Sequence, residues 1–131
     1  MTDQTEYYLS EARNGDFHSA YHSLIELPNY LLPELEEAYR SEPDPEIRAL
    51  IVEAIWQHRQ PTSVDFLAIA LDDPHPEVWK QAIDGLVTLA SPESRKVLEL
   101  AKSRLAEEDA ILRAWIEEAI DQIDERFTRR L

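Results

Sequence analysis

Two histidines and a glutamate follow one another at helical spacing near the start of the sequence. His18, His22 and Glu26 are four residues apart, a spacing at which side chains on one face of a helix can chelate a metal ion. No glutamate lies between the two histidines, and His58 and His75 are far away along the chain. We therefore predict no metal site. His58 falls near the end of a predicted helix, where we expect it to bond a backbone carbonyl.

Groups typical of covalent or acid–base catalysis are scarce. The chain has no cysteine, two glycines and no Gly-x-Ser-x-Gly sequence, so it offers no thiol nucleophile, glycine-rich phosphate loop or serine elbow. Adjacent carboxylates are plentiful, but in an acidic helical protein they usually lie on the solvated surface. They include Glu36-Glu37, Asp72-Asp73, Glu107-Glu108-Asp109 and Glu117-Glu118. The sequence predicts a protein that is not an enzyme and binds no cofactor.

The chain is strongly acidic. Its 131 residues include 27 acidic and 13 basic side chains, which gives a net charge of −14. This charge disfavours binding to nucleic acid or to an anionic membrane and favours a basic protein partner, although it also serves solubility alone. The first residues lack the basic and apolar stretches of a secretory signal, and no apolar run is long enough to span a bilayer. We therefore expect a cytoplasmic protein.

Apolar residues recur with the spacing of an amphipathic helix along most of the chain. One set begins at Ile47 and continues with Ile51 and Ile55. The same spacing returns 31 residues later from Val78 and another 34 residues later from Leu112. An internal repeat of this length indicates a solenoid of stacked helical units.

Proline and capping residues mark where the predicted helices begin. Pro45, Pro76 and Pro92 stand at first helical positions, where proline removes no needed N–H, and Asp44 and Ser91 precede two of them as N-caps. The pattern predicts an all-α fold, a short α-solenoid of about eight helices in antiparallel pairs. We expect a single domain over residues 1–131, which consists of an N-terminal capping helix (1–14), the repeats (15–125) and a basic C-terminal tail (126–131).

Two stretches, Leu31–Arg48 and Asp72–Trp79, resemble the helices and inter-helix turn of the HEAT repeat, and Glu108–Arg113 resembles a degraded copy of that turn. The resemblance covers about residues 15–125 and is closest to the short HEAT-like repeats also found in phycobilisome lyases. It implies a stack of helical hairpins, a scaffold that many unrelated proteins use.

One residue departs from the family pattern. The turn of the family usually carries an arginine after the apolar residue, as at Arg48 and Arg113, which can tie neighbouring repeats together through acids of the turn. The middle copy has Trp79 at that place. Trp79 either packs over a neighbouring turn in place of the ion pair or serves as an aromatic anchor on a binding face.

The resemblance also implies that the second helix of each pair, residues 45–58, 76–90 and 110–126, lines the concave side. Opposite the buried faces of these helices, apolar residues and acids align across the repeats, and we predict that they contact a partner. They are Val52, Ile83 and Glu117 in one row, Trp56, Val87 and Asp121 in another, and Glu53, Asp84 and Glu118 beside them. An apolar centre with an acidic rim is typical of a surface that binds a basic protein. Alternatively, Val52 and Ile83 touch the next helix and belong to the core.

These features together predict a non-catalytic, acidic protein-binding module. The most specific expectation is an inhibitor that masks a basic protein, such as an immunity protein that neutralises a nuclease toxin. The alternative is an adaptor or assembly chaperone that holds a peptide or helix of a larger complex. A lyase-like subunit that positions a cofactor is disfavoured, because the chain lacks cysteines and histidine–glutamate pairs.

Overall fold

The computed structural model describes residues 2–129 of the chain. Over this range it contains eight α-helices and no β-strand, which confirms the predicted all-α class. The helices are α1 (Asp3–Arg13), α2 (Phe17–Ile25), α3 (Leu32–Ser41), α4 (Pro45–Gln57), α5 (Val64–Leu71), α6 (Pro76–Leu89), α7 (Pro92–Ser103) and α8 (Ala110–Arg129).

Local sequence sets where these helices begin. The first residues of α4, α6 and α7 are Pro45, Pro76 and Pro92, as predicted. Before α4, the carboxylate of Asp44 accepts a hydrogen bond from the N–H of Glu46 at 2.9 Å. Before α7, the hydroxyl of Ser91 accepts one from the N–H of Ser94 at 3.0 Å. Each cap satisfies an N–H that the helix itself leaves unpaired, so both predicted N-caps are confirmed.

Consecutive helices pair as hairpins, and the hairpins stack. The pairs are α1 with α2, α3 with α4, α5 with α6, and α7 with α8. The second helices α2, α4, α6 and α8 also pack on one another in that order, and more extensively than the first helices do. This second-helix layer is therefore the closely spaced, inner side of the stack. The arrangement confirms the short α-solenoid.

Two repeats approach each other closely at Gly85 of α6. A Cβ atom at this residue would lie 2.7 Å from Cβ and 2.8 Å from Cγ of Trp56 in α4. Because only glycine lacks that atom, Gly85 allows α6 to lie directly against the tryptophan. The indole N–H of Trp56 donates to Oε1 of Gln81 at 3.0 Å. Packing and a hydrogen bond thus fix Trp56 between α4 and α6.

His58 joins two hairpins at the end of α4. Its Nε2 lies 3.1 Å from the carbonyl oxygen of Leu24, and its Nδ1 lies 2.8 Å from Oδ1 of Asn29. The predicted bond to a backbone carbonyl is confirmed. The carbonyl belongs to the preceding hairpin, so the histidine links two repeats rather than only ending its own helix.

The end of the chain differs from the predicted basic tail over residues 126–131. Helix α8 continues to Arg129, so residues 126–129 are helical, and the last two residues of the predicted tail lie outside the described residues. The guanidinium of Arg126 donates to the carbonyl oxygens of Val87 at 2.7 Å and Thr88 at 3.3 Å. These carbonyls lie in the last turn of α6, where the helix provides no partner. Arg126 therefore extends α8 and caps the end of α6, although its side chain is exposed.

Candidate functional site

Four of the residues predicted to contact a partner lie in the core. They are Val52, Trp56, Trp79 and Ile83, and each is at most 9% exposed. Trp56 faces Gly85 of α6, and Ile83 lies beside residues of α8. The expected exposure of this apolar row is therefore wrong, and the alternative that Val52 and Ile83 belong to the core is confirmed. The cause is the close spacing of the second helices, since each covers the apolar flank of the one before it.

Three of the predicted acids form a row across the second-helix layer. Glu53 of α4, Asp84 of α6 and Glu118 of α8 occupy the same position in successive repeats, and we call them the acidic row. Asp84 and Glu118 line a depression of about 170 Å³ between α6 and α8, together with Val87 and Trp115. Glu53 lines a second depression of about 380 Å³ between α2, α4 and α6. The structure thus brings Val87 together with two of the predicted acids, Asp84 and Glu118.

The charges of the acidic row are not neutralised within the part of the chain that the structure describes. None of the three carboxylates forms an ion pair with a basic side chain there. Burial raises the pKa of Glu53, and the charge of Asp84 raises it further. Burial also raises the pKa of Asp84. Carboxylates in this state are stabilised by a positively charged neighbour, which a bound partner can supply.

The other two predicted acids lie on a different side of α8. Oε1 of Glu117 is 3.6 Å from Nζ of Lys102 in α7. Glu117 and Asp121 both line a polar depression between α7 and α8 that also contains Arg95. Successive residues of a helix point about 100° apart, so Glu117 does not share the face of Glu118. The expectation that Glu117 and Asp121 join the same surface as the acidic row is wrong.

Trp115 is an exposed aromatic residue of this face that sequence reasoning missed. Its side chain is 38% exposed, its ring packs edge-to-face on Trp79 with 6.0 Å between centroids, and Nζ of Lys80 lies 4.9 Å from its centroid. In the repeat register Trp115 corresponds to Leu50 of α4, which is buried, and to Gln81 of α6, which is half-buried. Helix α8 is the last described helix, so no further described helix covers this position. The sequence does contain a signal for this residue, because a tryptophan stands in the last copy of the repeat at the position where α4 has Leu50.

Arg48 ties two repeats together through Asp73, a residue of the turn before α6. Its Nε donates to Oδ2 of Asp73 at 2.9 Å, and the same carboxylate accepts hydrogen bonds from the hydroxyl of Tyr39 at 2.7 Å and the N–H of His75 at 3.0 Å. Burial alone would raise the pKa of Asp73, but these hydrogen bonds lower it below its usual value. Because the protein itself supplies these hydrogen-bond donors to the carboxylate of Asp73, the network stabilises the contact between the two repeats.

The two histidines of the metal-like spacing lie on the surface of α2. His18 and His22 are both exposed, and their rings meet edge-to-face with 4.5 Å between centroids. Residues 2–129 contain no group of three or more histidine, aspartate or glutamate side chains placed to hold a metal ion.

Stacked antiparallel hairpins define an α-solenoid of the repeat-protein class. A family model of HEAT repeats matches residues 32–121, and the chain belongs to this family. The match lies within the predicted repeat region and leaves out the hairpin of α1 and α2. No curated protein and no solved structure matches the chain significantly. HEAT repeats generally mediate binding between proteins and are typically non-catalytic scaffolds.

No helix within residues 2–129 is both long enough and apolar enough to cross a membrane.

Proposed function

We propose that this HEAT-repeat protein is a non-catalytic module that binds a basic segment of another protein on its second-helix layer. In this proposal the acidic row supplies the charges that meet lysine or arginine side chains. Trp115 and Val87 supply the apolar contact between α6 and α8. The observation that carries the proposal is the pair Glu53 and Asp84, one half-buried and one exposed carboxylate at the same position of successive helices, whose pKa values are both raised by desolvation and which form no ion pair with another described residue.

Such a pair opposes folding at neutral pH, because desolvation and repulsion both disfavour the charged forms. Unfavourable charges of this kind are typical of functional sites, where binding offsets the loss of stability. A cation from a partner would neutralise the pair. Tryptophan is also among the residue types enriched at the energetic centre of protein interfaces, which fits Trp115 at the border of the depression.

The more specific role within this proposal is an inhibitor that covers a basic protein, such as an immunity protein against a nuclease toxin. An adaptor would hold the same kind of segment without blocking the partner's activity. The net charge of −14 favours rapid association with a basic surface in either role. A cytoplasmic location remains a prediction from the sequence.

Charge reversal on the acidic row tests the proposal. The purified chain, the variant Asp84→Lys/Glu118→Lys and a control variant Glu26→Lys/Glu125→Lys are used to capture proteins from a lysate of the host. Both variants change the net charge equally, and all four substituted residues are exposed. The captured protein is then purified, and its affinity for each variant is measured by calorimetry at low and high salt.

We expect the original chain and the control to bind the same basic protein. The acidic-row variant should bind it at least about tenfold more weakly, with affinity that falls as salt rises. Equal binding by all three chains, or affinity that does not depend on salt, would contradict the proposal. Loss of the partner's own activity in the complex distinguishes an inhibitor from an adaptor.

A further inference from the structure

A groove runs along the edge of the stack where the turns lie, at the N-terminal ends of α6 and α8. It has a volume of about 600 Å³ and lies between the α5–α6 turn and the α7–α8 turn. Its apolar lining includes Trp79, Leu105 and Ile111, and Ile111 is 72% exposed. The groove shares no lining residue with the two depressions that contain the acidic row. It is therefore a separate surface.

The borders of this groove are acidic. Asp72 lies on one side and Glu108 and Asp109 lie on the other, and none of them forms an ion pair with another described residue. Lys80 is the one basic residue among those that line the groove. Its Nζ lies over the two indole rings, 4.9 Å from the centroid of Trp115 and 5.8 Å from that of Trp79. An apolar floor is thus bordered by unpaired negative charge.

In the preceding repeat, an arginine of the second helix contacts the inter-helix turn of the next hairpin. There, Arg48 of α4 reaches the α5–α6 turn and pairs with Asp73, and its guanidinium also donates to the carbonyl oxygens of Glu42 at 3.0 Å and Pro43 at 2.9 Å. Trp79 stands 31 residues later at the equivalent place in α6. The α7–α8 turn therefore receives no arginine from α6.

The next arginine in the register does not replace it. The guanidinium of Arg113 donates to the carbonyl oxygens of Leu105 at 3.3 Å and Ala106 at 3.2 Å, both within its own turn. Glu108 and Asp109 thus have no ion-pair partner among residues 2–129, and the largely buried Trp79 lines the groove beside them.

We propose that this groove accepts an arginine of a partner protein together with an apolar residue next to it in the partner's chain. The guanidinium lies beside Glu108 and Asp72, and the apolar side chain contacts Ile111 and Leu105. Arginine fits better than lysine, because its planar guanidinium can form paired hydrogen bonds with carboxylates.

A titration of the full, isotope-labelled chain followed by NMR tests the inference. The probe is a capped decapeptide of glycine and serine with Leu-Arg-Leu at its centre. The matched controls replace the arginine by lysine or by citrulline, which keeps the shape and removes the charge. We expect saturating shifts at the amides of Lys80 and Ile111 with a Kd of about 1 mM, and binding of the citrulline peptide at least about tenfold weaker.

Two variants separate this groove from the acidic row. Glu108→Arg/Ile111→Asp should abolish these shifts, because both residues are exposed and their replacement leaves the core intact. Asp84→Lys/Glu118→Lys should leave the shifts unchanged, since those residues lie outside the groove. Far-ultraviolet circular dichroism and the thermal unfolding midpoint verify that each variant is folded.

Several results would overturn this inference. They would not affect the proposal for the acidic row, which the charge-reversal experiment tests separately. They are equal binding of the arginine and citrulline peptides, shifts centred on Glu53 and Asp84, and unchanged affinity in Glu108→Arg/Ile111→Asp. The oligomeric state, measured by sedimentation, provides a further result that would overturn the inference. If the original chain is a dimer and Glu108→Arg/Ile111→Asp is a monomer, a second copy of the chain occupies the groove.

Discussion

Trp56 and Gly85 form a contact in which a side chain of one repeat lies against the bare backbone of the next. The indole ring of α4 occupies the space that a side chain on α6 would fill, and a Cβ at residue 85 would be 2.7 Å from Cβ of Trp56. The spacing of α4 and α6 therefore depends on glycine at this one position. The same contact buries Trp56 and keeps it from serving as an exposed anchor.

Gly85→Ala should destabilise the protein. Alanine favours a helix over glycine by about 1 kcal/mol, but the added methyl group forces α4 and α6 apart and costs about 1–3 kcal/mol. We expect a net loss of about 1 kcal/mol in the free energy of unfolding, measured by urea denaturation. Lys96→Ala, at an exposed position of α7, is the control and should have little effect. A more stable Gly85→Ala protein would show that the two helices separate without cost.

The tryptophans of α4 and α8 should respond differently to truncation. Trp56→Ala removes a buried, hydrogen-bonded ring and should cost about 3–5 kcal/mol of stability. Trp115→Ala removes a partly exposed ring that packs on Trp79 and should cost about 1 kcal/mol. Urea denaturation of both variants measures the difference. Similar losses for the two would mean that Trp115 is a core residue and not available to a partner.

The Arg48–Asp73 pair should make stability depend on pH in the acid range. Because the pKa of Asp73 is lower in the folded protein than in the unfolded chain, its contribution is complete above the unfolded pKa of about 3.9 and is lost as pH falls through the folded value. Asp73→Asn should therefore cost about 3 kcal/mol at pH 7, and the difference from the original protein should shrink below about pH 4. Urea denaturation of both proteins at several values between about pH 3 and about pH 7 measures this difference in the free energy of unfolding. A difference that stays constant would show that the hydrogen bonds, and not the charge, carry the stability.

Glu53 should have the opposite effect on stability. Folding raises its pKa, so the ionised carboxylate destabilises the folded state above that pKa, and the effect vanishes below the unfolded pKa of about 4.3, where both states are protonated. Glu53→Gln should stabilise the protein by about 0.5 kcal/mol at pH 7, a modest gain because solvent screens the charge, and by nothing near pH 3. Chemical denaturation at the two pH values decides this, with Glu26→Gln as the control. A loss of stability at pH 7 would indicate that Glu53 has a favourable partner in the folded protein.

The fold follows from the sequence because its determinants are local. The starts at Pro45 and Pro92 depend on residues within one helical turn, and the spacing that begins at Ile47 and Val78 depends on residues within one helix. The repeat register also places Glu53, Asp84 and Glu118 in one row, since equal positions in stacked hairpins must align. These features require no knowledge of how tightly the hairpins stack.

The exposure of the apolar residues does not follow in the same way. Whether Val52 and Ile83 face solvent depends on the distance between second helices, which the contact at Gly85 sets between residues distant in sequence. Trp115 shows the converse, because the equivalent Leu50 is buried while the tryptophan in the last described helix is partly exposed. Burial in a solenoid is a property of the stack, and a pattern within one helix cannot reveal it.

The hydrogen bonds from Arg126 to the end of α6 affect the order in which the protein can assemble during translation. The side chain that completes α6 is 39 residues further along the chain than Val87. A nascent polypeptide can close its early hairpins as they leave the ribosome, but the carbonyls of Val87 and Thr88 must bond water until residue 126 has been made. The synthesis of α8 thus supplies the side chain that caps the helix of the preceding hairpin.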